Sequence, residues 1–112
     1  LVVTELQGRN GIYQYNSYPK ETDGRYSVMV TLRLEPQSQR LFIQRKMTDT
    51  VDNSVFSDTT MFDTSGDYRP DAFATAFGQQ GYYADTDPQI SRSHFALWEQ
   101  ILRDFLLIYA IT

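Results

Sequence analysis

From Arg25 to Met47 the chain changes character at every residue. Val28, Val30, Leu32 and Leu34 alternate with Ser27, Met29, Thr31 and Arg33, the period of two of a strand with one covered face. Glu35-Pro36-Gln37-Ser38-Gln39 interrupts the pattern with polar residues and a proline that cannot donate to a ladder. A second run then places Leu41, Ile43, Arg45 and Met47 on one parity and Phe42, Gln44 and Lys46 on the other. Two such runs across a short polar link predict an antiparallel hairpin. One face is aliphatic apart from Arg45. The other offers Met29, Thr31, Arg33, Phe42, Gln44 and Lys46, a cationic, hydrogen-bonding surface suited to an anionic ligand. A register one residue out would turn Leu41, Ile43 and Arg45 to that face. It is rejected because it would bury Phe42, Gln44 and Lys46 in place of an aliphatic row.

Around this hairpin the pattern predicts further elements. Leu1 to Leu6 reads as a short strand, and Gln7 to Gly11 as a turn, since Asn-Gly tolerates positive φ at both residues. Ile12 to Tyr15 starts an aromatic-rich strand, and Pro19 to Gly24 is a polar connection. Thr48 to Asp71 reads as a long acidic loop with Val55-Phe56 and Met61-Phe62 as apolar islands; loops of that length are usually functional, mobile or engaged with another subunit. Ala72 to Tyr83 reads as one more strand. Asp87-Pro88 opens a helix, with Asp as N-cap and Pro at the first helical position. Phe95, Trp98, Ile101, Leu102, Phe105, Leu106 and Tyr109 form its apolar stripe, and Leu107 to Thr112 is expected to pack.

Strands followed by one strong helix predict a single α+β domain over residues 1–112, an antiparallel sheet with the C-terminal helix on one face. The sheet's other face would be open and its edges unpaired, and open edges invite a second chain. An intertwined dimer that continues the sheet and exchanges helices meets both needs.

Charge sharpens the picture locally. The net charge of −4 argues against diffuse nucleic-acid binding. Residues 25–46 nevertheless hold Arg25, Arg33, Arg40, Arg45 and Lys46 against Glu35, whereas residues 48–87 hold eight aspartates against Arg69. The bland alternative is a solvated strand face beside an acidic loop. With no cysteine there is no disulfide scaffold or thiolate metal site. No apolar run reaches the roughly 18–20 residues of a membrane span, and no signal-peptide pattern is visible.

Candidate chemistry is sparse. The one histidine, His94, falls in the first turns of the helix and reads as structural rather than as a base. One His cannot make a zinc set. The loop aspartates match no EF-hand spacing, Gly78-Gln79-Gln80-Gly81 lacks the lysine of a phosphate-cradling loop, and no nucleophile motif occurs. No catalytic residue, metal or cofactor is expected.

Several segments, in order, resemble the coat proteins of single-stranded RNA bacteriophages, the levivirus group. They are Asn10-Gly11-Ile12; Arg25 to Arg33 (RYSVMVTLR); Gln39 to Met47 (QRLFIQRKM); Asp71 to Thr75 (DAFAT); and the helix from Ser91 to Leu107 with its Leu-Leu-Ile-Tyr-Ala-Ile ending. The 48–71 loop is longer than the family's. The resemblance implies a capsid protein that dimerises into one continuous sheet and assembles into an icosahedral shell, a virion formed in the bacterial host's cytoplasm. It implies that the sheet's inner face binds genomic RNA, including a hairpin operator through which translation is repressed. Arg33 and Lys46 would then meet phosphates. Thr31, Gln44 and Thr75 would read base edges or sugars, with Met29 and Phe42 on the same face. Phe73 would stack on a base; alternatively it is core, and Ala72, Ala74 and Ala76 face out. The competing functions are a small phage or effector module that docks a protein through its sheet edge and acidic loop, and, more weakly, a small enzyme or ligand carrier.

Overall fold

The computed structural model describes residues 11–35 and 40–109; the strand and turn expected over residues 1–10, and the link residues 36–39, lie outside them. The fold is α+β: a six-stranded antiparallel sheet in simple chain order with one long helix across one face. The strands are β1 (Gly11–Ser17), β2 (Tyr26–Leu34), β3 (Leu41–Asp49), β4 (Val55–Asp63), β5 (Ala72–Thr75) and β6 (Gln80–Tyr82), and the helix is α1 (Pro88–Ile108). Among the described residues no helix is long and apolar enough to cross a membrane.

The central hairpin stands in the expected register. Leu32 pairs with Ile43, Leu34 with Leu41 and Thr31 with Gln44, so all the aliphatic side chains fall on one face. Val28, Val30, Leu32, Leu34, Leu41 and Ile43 are buried beneath α1 with its Trp98, Ile101, Leu102 and Phe105. The Asp87 carboxylate accepts from the Gln89 N–H at 2.8 Å and caps the helix. Within the single chain α1 covers its own sheet. Phe105 packs edge-on against Tyr13 and Tyr15 of β1, Trp98 donates its indole N–H to the Tyr68 carbonyl, and the Tyr15 hydroxyl donates to Asp104 at 3.1 Å.

Three expectations are corrected. Thr48 to Asp71 is not one loop. It holds β4, paired with β3 except at Phe56, where the register shifts opposite Met47/Thr48. Its helix-side positions are Ser57, Thr59, Met61 and Asp63, so polar side chains mask the alternation, and short turns flank it on both sides. Ala72 to Tyr83 is not one strand but a hairpin, turned at Gly78 with φ +91°. The helix end is not packed throughout: Leu107 and Ile108 are exposed, as is Phe95 within the stripe, while residues 110–112 of the segment expected to pack lie outside the described residues.

Among the described residues the sheet ends at β1 and β6, and the two margins differ. At β1, the Tyr109 hydroxyl accepts from the Gln14 N–H at 2.9 Å and donates to the Gln14 carbonyl at 2.7 Å. At β6, the Thr86 hydroxyl donates to the Tyr82 carbonyl.

Candidate nucleic-acid interface

The face turned away from α1 carries side chains in rows, because each strand pair fixes which residues stand side by side. One row runs Arg33, Phe42, Phe62, Ala72, Tyr82 from β2 to β6. The next runs Gln14, Thr31, Gln44, Thr60, Ala74, Gln80 across all six strands. A third holds Asn16, Met29, Lys46 and Asp58. Rings and a guanidinium thus lie beside a band of hydroxyls and amides, with a lysine beyond.

The polar band is tied together. The Gln14 amide donates to the Thr31 hydroxyl at 3.2 Å, and the Gln44 amide donates to both Asp58 carboxylate oxygens at 2.9 and 3.1 Å. The Asp58 acceptor fixes which end of the Gln44 amide is nitrogen. Gln44 therefore turns its carbonyl oxygen away from Asp58. Phe42 and Phe62 meet edge to face, 5.5 Å between ring centres. Between the two rows lies a hollow of 310 Å³ lined by Thr31, Arg33, Glu35, Phe42, Gln44, Thr60 and Phe62.

Six of the residues nominated from sequence share this face: Met29, Thr31, Arg33, Phe42, Gln44 and Lys46. Four of them line the hollow. Phe73 and Thr75 are not brought to it. Phe73 is buried on the helix side, stacked on Tyr83 at 5.1 Å and edge-on to His94. The Thr75 hydroxyl accepts from the Gln79 N–H and braces the β5–β6 turn. Ala72 and Ala74 face outward in their place, which is the alternative placement of Phe73 in the core. Gln14, Thr60, Phe62 and Tyr82 were missed. Phe62 and Thr60 were hidden in the supposed loop, and the ring at Tyr82 belongs to a strand that sequence alone merged with its neighbour.

Elsewhere the charged and titratable groups build structure. The Tyr83 hydroxyl and His94 Nδ1 are 2.7 Å apart within a cluster of rings completed by Phe73 and Phe95. Burial lowers the His94 pKa and raises that of Tyr83. Burial and then the Asp104 charge raise Tyr15. The carboxylates of Asp63, Asp67 and Asp71 converge within 4.8 Å. Asp63 accepts from the backbone N–H groups of Ser65, Gly66 and Tyr68. Asp71 accepts from Thr64 and Asp67 from the Arg69 N–H. These bonds order the turn between β4 and β5.

No protein-family model, curated protein or solved structure matches the chain. Its functional reading therefore rests on the open face and on its sequence.

Proposed function

We propose that the chain is a capsid subunit of a levivirus-like RNA bacteriophage, not an enzyme, which pairs with itself, assembles into an icosahedral shell and binds single-stranded genomic RNA on the open sheet face. One observation carries the reading. Thr31, Arg33, Phe42 and Gln44, named from sequence alone, line one hollow together with the Phe62 ring. Single-stranded RNA is recognised through splayed bases stacked on rings and hydrogen-bonded at their edges, with phosphates held by cations. The face offers each of these groups in adjacent rows. A hairpin operator and translational repression follow from the family resemblance. In a pair that exchanges helices, α1 would make the same Trp98, Ile101 and Phe105 contacts on the partner's sheet, with residues 83–87 as the hinge.

Negative-stain microscopy of the expressed protein tests the assembly. Uniform spherical particles that carry RNA through purification are expected, whereas a monomer that neither assembles nor retains RNA removes the proposal. A second reading, a module that docks a protein partner, is favoured by the exposed rings of Phe77 and Tyr82 at the β5–β6 end. It predicts a soluble dimer or monomer that never forms shells.

A further inference from the structure

The open face holds a second, larger hollow of 480 Å³, to which Phe73, its ring turned to the helix side, is the one nominated residue that contributes. Its walls include Phe62 of β4 and Tyr82 of β6, and its floor is Ala72 and Ala74 of β5. Phe62 stands directly opposite Ala72, and Ala72 directly opposite Tyr82. The floor residue ends at a methyl group, so Ala72 does not itself fill the space between its two aromatic neighbours.

The spacing has a chemical consequence. Neighbouring strands lie about 4.8 Å apart, which sets the β4 and β6 side-chain rows about 9.5 Å apart. A flat ring held between two others needs about 7 Å, with carbon contacts of about 3.5 Å on each side. An alanine between two aromatics on consecutive strands therefore leaves a slot wide enough for one planar group. Tyr82 is 62% exposed, so its ring is not committed to the core. Gln80, in the adjoining row, supplies an amide at the slot's side.

The geometry points to a base-stacking slot between Phe62 and Tyr82 that receives one unpaired nucleobase of bound RNA, one step along the sheet from the Arg33–Phe42 hollow. Phe62 is the wall common to both hollows, so the bound strand runs across the sheet from β2 towards β6. The occupant is a nucleobase because Arg33 and Lys46, on the same face, suit the phosphates attached to it. The inference rests on the RNA reading proposed above and adds a site to it.

The test uses a fluorescein-labelled single-stranded RNA of mixed sequence and a matched oligonucleotide carrying 2-aminopurine. Ala72→Leu fills the slot from its floor, and Tyr82→Ala removes an exposed wall without touching the core. Each should weaken binding roughly 5- to 150-fold, the range for losing one stacked base. Each should leave the salt slope unchanged, because no phosphate contact is lost. Tyr82→Phe should bind as the parent does, and 2-aminopurine should be quenched by the parent but not by Ala72→Leu. If Ala72→Leu and Tyr82→Ala bind normally while Arg33→Ala and Lys46→Ala bind weakly, the slot is overturned and the RNA face stands. If none of the four weakens binding, face and slot both fall. If the slot variants lose only self-association in sedimentation, the slot holds a neighbouring subunit's side chain and the inference is overturned.

Discussion

The two faces of this sheet are made by the same strands and follow different rules. Beneath α1 every aliphatic side chain from β2 and β3 is pressed into a continuous core, and Leu32, Leu41, Ile43, Met61 and Phe105 have no exposed surface. On the reverse, nothing among the described residues covers the rows of rings, hydroxyls and amides. The first face is selected by volume, because close-packed interiors respond to a single methylene. The second is selected by which groups stand side by side. A change on one face should therefore register in folding and on the other in binding.

The sharpest way to break that division is Trp98→Ala. The indole is 1% exposed and also donates to Tyr68. Its loss should cost on the order of 3–5 kcal/mol, read as a lowered midpoint in urea. An unaltered midpoint would mean that α1 is not docked as described. On the open face, Arg33→Ala and Lys46→Ala should leave the midpoint within about 0.5 kcal/mol of the parent. Each should weaken RNA binding several-fold and reduce the salt slope by about 0.7, the value for one phosphate contact to a single strand. Unchanged affinity in both would retire the face.

A pH series reaches the covered side through His94. Burial lowers its pKa in the folded chain, so the unfolded chain takes up a proton first as pH falls. Its contribution is complete above the ordinary histidine value of about 6.5 and is lost on acidification, levelling once the folded His94 is also charged. His94→Gln should flatten that part of the stability profile; a slope that persists in the variant would assign it to other groups. The smallest expected effect belongs to Asp58, the carboxylate within the rows of the open face. Asp58→Asn keeps an acceptor for Gln44 and removes a negative charge. It should tighten RNA binding by up to about fivefold at low salt, and a weakening would show that Asp58 contributes through its charge.

What could be read from sequence tracks the same division. β2 and β3 were legible because Val28, Val30, Leu32, Leu41 and Ile43 write the covered face in aliphatics at a period of two, and a single register satisfies them. The helix was legible from Asp87-Pro88 and its stripe. β4 was not, because its inward positions are Ser57, Thr59, Met61 and Asp63, and Asp63 is buried to order a turn rather than to fill volume. Phe73 misled because the strand is only four residues long and offers small or aromatic residues at both parities. Its side is decided by Tyr83 and His94, which lie outside the strand. Six of the eight nominated site residues were placed together because they follow from the β2–β3 register. Gln14, Thr60, Phe62 and Tyr82 join them only through pairings with strands that the pattern did not resolve.

The Tyr109 hydroxyl, bonded to both backbone groups of Gln14, gives the sheet a direction. An incoming strand at that margin would have to evict a hydroxyl that satisfies a donor and an acceptor at once, whereas at the opposite margin the Thr86 hydroxyl satisfies a single acceptor, the Tyr82 carbonyl. At the β1 margin, then, the end of α1 and any added strand compete for the same two backbone groups of Gln14.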